Sequence, residues 1–318
     1  MPMLLPPPQD IRPIAGFLMH FDRRVNRLIG SKRRLIGLLE EQKQGIIHSV
    51  ITHGLDSSVA LKSSGVKWLG DVPAHWDIVA LGRLLENVEQ GWSPVAAEGD
   101  FADDQWGVLT LSAVKRGTFK ASAIKPISRA ADVPTRLEVR VGDFLLTRSN
   151  TRERVGDVCI VDAVRPRTIL CDLIYRLTIH GNAIDKKLLM FQFLGPLGRG
   201  QIERAAQGAS GTMPKIAQKH IKSWRILVPP IPEQKAMVDS IEKRLAPIVS
   251  TMEQAERQIL LLREYRTRLI ADVVTGQLDV RGVSLPPLPD SDADDPEADL
   301  DDADDADLLE AAEALDEE

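Results

Sequence analysis

The side chains best suited to contact a nucleic acid lie in one short segment near the middle of the chain. Residues 147–154 read Thr-Arg-Ser-Asn-Thr-Arg-Glu-Arg, which places three arginines among four small polar residues. A guanidinium can pair with both acceptors of a guanine edge, an asparagine amide suits adenine, and hydroxyl groups suit phosphates. A solvated polar loop between two strands would have the same composition, and both interpretations stay open here. The candidate ligands are Arg148, Ser149, Asn150, Arg152 and Arg154.

Two further polar segments could contact the same ligand. Residues 115–118 read Lys-Arg-Gly-Thr, a turn with two cations. Residues 207–215 contain two glycines, whose backbone freedom allows close approach to a phosphate. A solvated turn and a plain linker into the next helix are the ordinary alternatives. The candidate ligands from these two segments are Lys115, Arg116, Ser210, Thr212 and Lys215.

The sequence carries no motif of the common enzyme classes. It contains no Gly-Lys dipeptide of a phosphate-binding P-loop, no Gly-x-Gly-x-x-Gly and no Gly-x-Ser-x-Gly. The Asn-Pro-Pro-aromatic motif that an adenine methyltransferase needs is also missing, and the six histidines show no metal-ligand spacing. We therefore expect a protein without catalytic residues, metal ligands or a cofactor.

The charge of the chain is strongly segregated. The 318 residues carry a net charge of −6, but the last 29 residues, 290–318, hold 16 acidic and no basic side chains. Residues 1–289 then carry 40 basic against 30 acidic side chains, a net charge of +10. This basic body favours a polyanionic partner. The acidic tail is expected to be disordered and solvated; alternatively, it mimics DNA and competes for the basic surface.

The expected cellular compartment is inferred from features that the sequence lacks. It has no run of about 18 apolar residues that could cross a bilayer, and its proline-rich start is unlike a signal peptide. The two cysteines, Cys159 and Cys171, have no metal-ligand spacing. A reduced, cytoplasmic protein is the expectation.

An internal repeat organises the chain. Shifting the sequence by 223 residues aligns 6–56 with 229–279 without a gap. Each copy has an apolar stripe with a period near 3.5, which predicts a long helix with a coiled-coil seam, and Pro247 predicts a bend in the second copy. The two helices could pair within the chain, most naturally antiparallel, or each could dock on a different partner subunit.

The block between the helices, from about residue 66 to 225, has a different pattern. Short β-rich runs at 106–111, 139–147, 155–161 and 169–177 alternate with turn signals, and helical stretches are predicted at 185–193 and 216–222. The predicted fold class is α+β, with one mixed α/β domain between two long helices. Four tryptophans are expected to anchor its core: Trp68, Trp76, Trp92 and Trp106.

Four motifs give the chain a family resemblance. They are residues 68–76 (Trp-Leu-Gly-Asp-Val-Pro-Ala-His-Trp), 142–148 (Gly-Asp-Phe-Leu-Leu-Thr-Arg), 210–214 (Ser-Gly-Thr-Met-Pro) and 228–234 (Val-Pro-Pro-Ile-Pro-Glu-Gln). Together they resemble the target-recognition domain and conserved helix of the DNA-specificity subunit of type I restriction–modification systems. The resemblance covers about residues 4–280.

The resemblance implies an organisation and a set of partners. It implies a first helix at 1–56, a linker at 57–67, a target-recognition domain at 68–228 and a second helix at 229–280. The acidic tail, 281–318, is not part of the family pattern. Such subunits pair their helices as an antiparallel coiled coil, read half of a bipartite double-stranded DNA site with each domain, and catalyse nothing themselves. Their helices bind the modification (methyltransferase) subunits, and the restriction subunits join indirectly.

Two departures from the family pattern bear on function. Only five residues precede Pro6, so the first of the two recognition domains is expected to be missing. The chain would then be a half-subunit that forms a homodimer, or an inactive distal fragment; a coiled-coil scaffold for proteins is the remaining alternative. The first helix also begins with Gln9-Asp10-Ile11 where the family has Pro-Glu-Gln.

Overall fold

The structure is a computed structural model that describes residues 6–66, 69–95, 101–102, 105–128, 133–206 and 213–285. It is an α+β fold. The helices are α1 (Pro8–His53), α2 (Lys186–Leu194), α3 (Pro196–Ala206), α4 (Gln218–Ser223) and α5 (Ile231–Val274). The strands are β1 (Leu61–Ser63), β2 (Asp71–Pro73), β3 (Asp77–Ala80), β4 (Leu85–Gln90), β5 (Gly107–Leu109), β6 (Val114–Lys115), β7 (Thr118–Phe119), β8 (Ile124–Pro126), β9 (Phe144–Thr147), β10 (Val158–Ile160), β11 (Thr168–Ile169), β12 (Ile174–Ile179) and β13 (Arg225–Val228).

Two compact units make up the chain. Among the described residues, the helical unit combines 6–43 with 245–285, and the central unit lies within 44–244. Helices α1 and α5 each contribute residues to both units. Within the described residues, no helix is both long enough and apolar enough to cross a membrane.

The helical unit is held by apolar contacts between α1 and α5. Val25 and Ile29 of α1 form one buried cluster with Ile259 of α5. Nearer the start of α1, the Phe21 ring packs edge-to-face on Tyr265, with ring centroids 5.4 Å apart. Residue numbers therefore fall along α5 as they rise along α1. Ion pairs add to the contact, among them Arg266 Nε with Asp22 Oδ1 at 2.6 Å.

The 223-residue repeat persists in the local structure at the helix ends. Gly54 and Gly276, which are one residue out of register in the repeat, follow α1 and α5 with φ of 75° and 77°, a left-handed conformation that glycine adopts without strain. Just beyond them, Asp56 Oδ1 accepts the amide of Ser58 (2.9 Å), and Asp279 Oδ1 accepts the amide of Arg281 (3.1 Å). The two long helices predicted from the repeat are present, and α5 continues through Pro247. The bend expected at Pro247 stays a prediction.

The central unit is built on small, mostly antiparallel sheets. Its largest sheet has the strand order β10-β9-β12-β4, and a three-stranded sheet has the order β11-β5-β8 with β11 and β5 parallel. Strand pairs β1-β2, β3-β13 and β6-β7 complete the unit. The interior strand β9 is buried along its whole length and is apolar up to Thr147, as expected of a strand covered on both faces.

An ion-pair network crosses the largest sheet. The guanidinium of Arg176, on β12, contacts the carboxylates of Glu89 on β4 and Asp143, which precedes β9 (Nη1 to Oδ2, 3.0 Å). Nη1 also donates to the backbone oxygen of Glu138 (2.8 Å). All three charged side chains are less than 20% exposed, at 13%, 15% and 18%. Their mutual pairing compensates for partial removal from water.

Three sequence-based predictions of elements need correction. The single strand predicted at 169–177 is two strands, β11 and β12, because the chain turns where the Ile174 amide donates to the Cys171 oxygen (3.1 Å). The helix predicted from residue 216 begins at Gln218, since the Ile216 amide donates instead to the Arg148 oxygen (2.8 Å). Helix α3 was not predicted at all.

The tryptophan prediction holds where it can be examined. Trp76 is fully buried, and Trp92 and Trp106 are partly buried against the cluster around Val108 and Ile169. Trp68 lies outside the described residues.

Candidate nucleic-acid interface

The arginine-rich segment is an ordered loop at the tip of a β-hairpin. It connects the antiparallel strands β9 and β10, and we call residues 148–157 the hairpin loop. The Thr147 amide donates to the Asp157 oxygen (2.8 Å) and the Gly156 amide to the Thr147 oxygen (3.0 Å). The Thr147 hydroxyl donates to the Arg154 oxygen (3.0 Å). These bonds fix both ends of the loop.

Two of the predicted ligands point into the protein. Ser149 is 1% exposed, and its hydroxyl donates to the Pro214 oxygen (3.1 Å). Asn150 is 9% exposed, and its Oδ1 accepts the amide of Thr151 (2.8 Å). Both side chains therefore stabilise the loop itself, and their assignment as DNA ligands stays a prediction.

Arg148 lies at the base of the loop and is half-buried. Its amide donates to the Leu173 oxygen (2.7 Å), and its oxygen accepts the amide of Ile216 (2.8 Å). Its buried Nε has no hydrogen-bond partner among the described residues. These backbone hydrogen bonds fix the main chain of Arg148, so the point from which its side chain extends is defined.

Three segments that are far apart in sequence meet around the hairpin loop. The Arg116 amide, in the turn between β6 and β7, donates to Asp157 Oδ2 (3.4 Å). Lys215 pairs with Ser149 in an antiparallel bridge. The side chains of Lys115, Arg116, Arg152 and Lys215 are exposed and that of Arg154 is half-buried. We call these five residues the basic surface. Ser210 and Thr212 lie outside the described residues.

Two carboxylates lie among these cations. Hydrogen bonds from its own backbone amide and from the Thr151 hydroxyl lower the pKa of Glu153, and the charges of Arg152 and Arg116 lower it further. Burial raises the pKa of Asp157, against the opposing charge of Arg199. The cations thus outnumber the carboxylates in the loop and turn, and the surface can bind a polyanion.

Sequence reasoning missed Asp157 and Arg199, which lie behind the surface. In the sequence, Asp157 only ends a Val-Gly-Asp run that is typical of a turn, and Arg199 stands in helix α3 among two glycines and a proline. No pattern in the sequence joins the two residues, whose side chains are 3.6 Å apart (Nη1 to Oδ1).

A second set of contacts lies within the central unit and joins the start of α5 to the residues around β2 and β3. The buried Trp76 indole donates to Glu233 Oε1 (3.0 Å), and His75 Nε2 lies 2.8 Å from Glu233 Oε2. Gln234 is also buried: its Oε1 accepts the amide of Asp185 (2.7 Å), and its Nε2 donates to the Pro229 oxygen (2.8 Å). These contacts give a physical role to the His-Trp and Glu-Gln pairs of the sequence motifs.

The equivalent position at the start of α1 is used differently. The repeat places Asp10 where Glu233 stands and Ile11 where Gln234 stands. Asp10 Oδ2 accepts from Arg281 Nη1 (3.2 Å), and Ile11 is exposed. The residues of the two copies have therefore diverged.

The apolar packing near these positions has diverged as well. Val280 is buried in a cluster with the α5 residues Leu269 and Val273, and Phe17 of α1 packs against that cluster. The repeat places Ser57 and Ser240 at the positions equivalent to Val280 and Phe17. Near the start of α1, therefore, the chain's own apolar side chains take positions that are polar in the other copy.

Two kinds of reactive group can be examined among the described residues, namely metal ligands and thiols. Among the described residues, no group of three or more His, Cys, Asp or Glu side chains is placed to hold a metal ion. Burial raises the pKa of the Cys171 thiol to about 11 and that of Cys159 still higher, so both thiols stay protonated and unreactive near neutral pH.

The chain is similar to specificity subunits of type I restriction enzymes. The chain is 26% identical over 201 residues to the specificity subunit of the type I restriction enzyme EcoEI of Escherichia coli, covering 62% of this chain and 34% of that protein. It is 22% identical over 286 residues to the MjaVIII specificity subunit of Methanocaldococcus jannaschii, covering 88% and 63%. No family model matches the sequence.

A solved structure shows the same fold. A chain from a study of complex assembly and conformational transition in the type I restriction–modification system superposes with a TM-score of 0.55 at 16% identity, covering 86% of this chain and 61% of the other. The chain spans about a third to two thirds of the length of these relatives. Motifs, fold and relatives agree, and the chain is a relative of the DNA-specificity subunits of type I restriction enzymes.

Proposed function

We propose that the chain is a non-catalytic specificity subunit that recognises double-stranded DNA with one target-recognition domain, residues 68–228. The observation that carries the proposal is the similarity to a specificity subunit over 88% of the chain. The basic surface supports it, because three separate segments bring their cations together beside an ordered loop. Arg152 and Arg154, on the hairpin loop, would contact base edges, while Lys115, Arg116 and Lys215 would contact phosphates or bases.

The helices supply the remaining partners in this proposal. Helices α1 and α5 form an antiparallel coiled coil that binds the modification (methyltransferase) subunit, which in turn brings the restriction subunit. The opposite order of contacts along the two helices supports the antiparallel pairing. Met19, Leu38 and Leu261 are more than half exposed, which supports a protein partner for this pair.

A bipartite DNA site requires a second recognition domain. Within the proposal, a second copy of this chain in a homodimer supplies it and makes the site palindromic, or a separate polypeptide supplies it and makes the two halves differ. The alternative that the chain is only a scaffold for other proteins is not favoured. The relatives of this chain are specificity subunits, and a scaffold would not need the basic surface.

The proposal is tested by mapping methylated bases in the source genome with and without this gene. The expected result is a bipartite methylated sequence that disappears on deletion and returns when the gene is restored. A methylome that is unchanged by the deletion would contradict the proposal. As a second test, the purified chain should be retained on a heparin or DNA column at moderate salt, whereas a scaffold or inactive fragment should not.

A further inference from the structure

Helix α3 supports the hairpin loop through one arginine. Arg199 donates from Nη1 to the oxygen of Val155 (3.0 Å) and from Nη2 to the oxygen of Glu153 (3.0 Å). The same guanidinium lies 3.6 Å from Asp157 Oδ1. A single side chain therefore holds three positions of the loop that presents Arg152.

The Arg116 turn belongs to the same arrangement. Asp157 is 3% exposed and also accepts the backbone amide of Arg116 (3.4 Å). Arg116 has φ of 39°, a left-handed conformation that residues other than glycine adopt only when their surroundings hold them. The next amide, of Gly117, donates to the Val158 oxygen (2.8 Å). Loop and turn are thus joined through Asp157 and the start of β10.

The glycines beside these contacts show how tightly loop and turn rest on the helices. A Cβ atom added to Gly156 would lie 2.7 Å from Ile202 Cγ2 on α3, and one added to Gly117 would lie 2.8 Å from Leu194 Cδ1 on α2. Both distances are shorter than atoms tolerate without movement. The two helices therefore pack closely against the hairpin loop and the Arg116 turn.

We propose that Arg199 and Asp157 are positioning residues for DNA recognition: they hold the hairpin loop and the Arg116 turn in one arrangement and so determine selectivity between DNA sequences without contacting DNA. The inference rests on the proposed function. Reading a base edge needs side chains fixed to within a fraction of an ångström, whereas attraction to phosphates needs only their charge. Weakening the support that Arg199 and Asp157 give to the loop and the turn should therefore reduce selectivity between DNA sequences more than overall affinity for DNA.

The experiment uses the full chain and duplex DNA. A target is first enriched from a random duplex library by the unmodified protein, and the Kd is then measured for that target and for a scrambled duplex. The variants are Arg199→Met, Arg199→Lys and Asp157→Asn. Arg204→Met is the matched control, because Arg204 is on the same helix and lines a separate cavity of about 150 Å³ with His48 and Leu69. Thermal unfolding of each variant shows that it is folded.

The expected result is a loss of selectivity. With Arg199→Met, the Kd for the target should rise about tenfold while that for the scrambled duplex changes less than about threefold. The selectivity of Arg199→Lys should lie between that of Arg199→Met and that of the unmodified protein. Lysine keeps the charge, but its ammonium group lacks the fork with which arginine binds two carbonyls. Asp157→Asn should change selectivity in the same direction, and Arg204→Met should not change it.

Equal losses on both duplexes, or no change, with folded Arg199→Met and Asp157→Asn would overturn the inference. That outcome is distinct from failure of the proposed function, in which the unmodified protein itself would enrich no sequence.

Discussion

Removing the carboxylate of Glu233 should destabilise the central unit by an amount that the structure allows us to work out. Trp76 is fully buried, and its indole N–H donates to Glu233 Oε1 at 3.0 Å. Glu233→Ala leaves this donor without a partner, which costs about 1–3 kcal/mol. The contact with His75 adds at most about 1 kcal/mol, since the His75 side chain is 41% exposed. The total should be about 1–4 kcal/mol.

Urea unfolding followed by tryptophan fluorescence measures this loss. All five tryptophans lie between residues 44 and 244, so the signal reports on the central unit. The expected shift of the midpoint is roughly 1 M. Glu233→Gln should cost less than about 1 kcal/mol, because its amide oxygen still accepts from the indole.

The repeat provides a matched control. Asp10 stands at the position equivalent to Glu233, but its partner, Arg281, is 55% exposed. Asp10→Ala should therefore cost less than about 1 kcal/mol and leave the tryptophan signal almost unchanged. The reasoning would be refuted if Asp10→Ala or Glu233→Gln shifted the midpoint as far as Glu233→Ala.

Further predictions concern the sheet, the hairpin loop and the basic surface. Arg176→Met should cost about 2 kcal/mol in urea unfolding, because Glu89 and Asp143 lose a shared partner; a loss below about 0.5 kcal/mol would show that solvent screens the network. Gly156→Ala should lower thermal stability by about 1–3 kcal/mol, because φ is 75° and Ile202 occupies the space for a Cβ; an unchanged melting temperature would contradict this. Arg152→Ala should relax specificity at one base and cost about 1–3 kcal/mol of binding, whereas a uniform loss on all sequences would make Arg152 a phosphate contact. Lys215→Ala should lower the slope of log K against log salt by about one, and an unchanged slope would remove Lys215 from the interface.

The sequence was most informative about the helices. The apolar period near 3.5 and the 223-residue repeat extend over about 50 residues, long enough for a local pattern to determine α1 and α5. Helix α3 was not predicted because it contains Gly198 and Gly200, and glycine is a poor helix former. The structure needs glycine at 198, since an added Cβ would lie 2.4 Å from the Cα of Phe193. Close packing with α2 thus outweighs helix propensity there.

The basic surface could be predicted only in part. The exposed cations Arg116, Arg152 and Lys215 were recognised from residue chemistry. That Ser149 faces inward could not be predicted, because its orientation depends on the chain near Pro214, 65 residues away. The support from Arg199 is equally non-local. Long-range contacts of this kind leave no periodic trace in a single sequence.

The contacts of Glu233 bear on how such a protein can be rebuilt. The chain leaves α1 at Gly54 and enters α5 near Glu233, and a Cβ atom added to Gly54 would lie 3.1 Å from Trp76 and 3.2 Å from Glu233. The two ends of the intervening segment are therefore neighbours, and a replacement segment, or cassette, would have to restore the contacts among these three residues. A cassette that retains the His-Trp pair finds its acceptor already present on α5.

A cassette grafted at the start of α1 would meet different conditions. The carboxylate of Asp10 is already paired with Arg281, and the neighbouring apolar surface is covered by Val280. Such a graft would have to displace the chain that follows α5 before it could bind. The two duplicated helices are therefore unequal acceptors, and an engineered exchange of specificity should use the junction on α5.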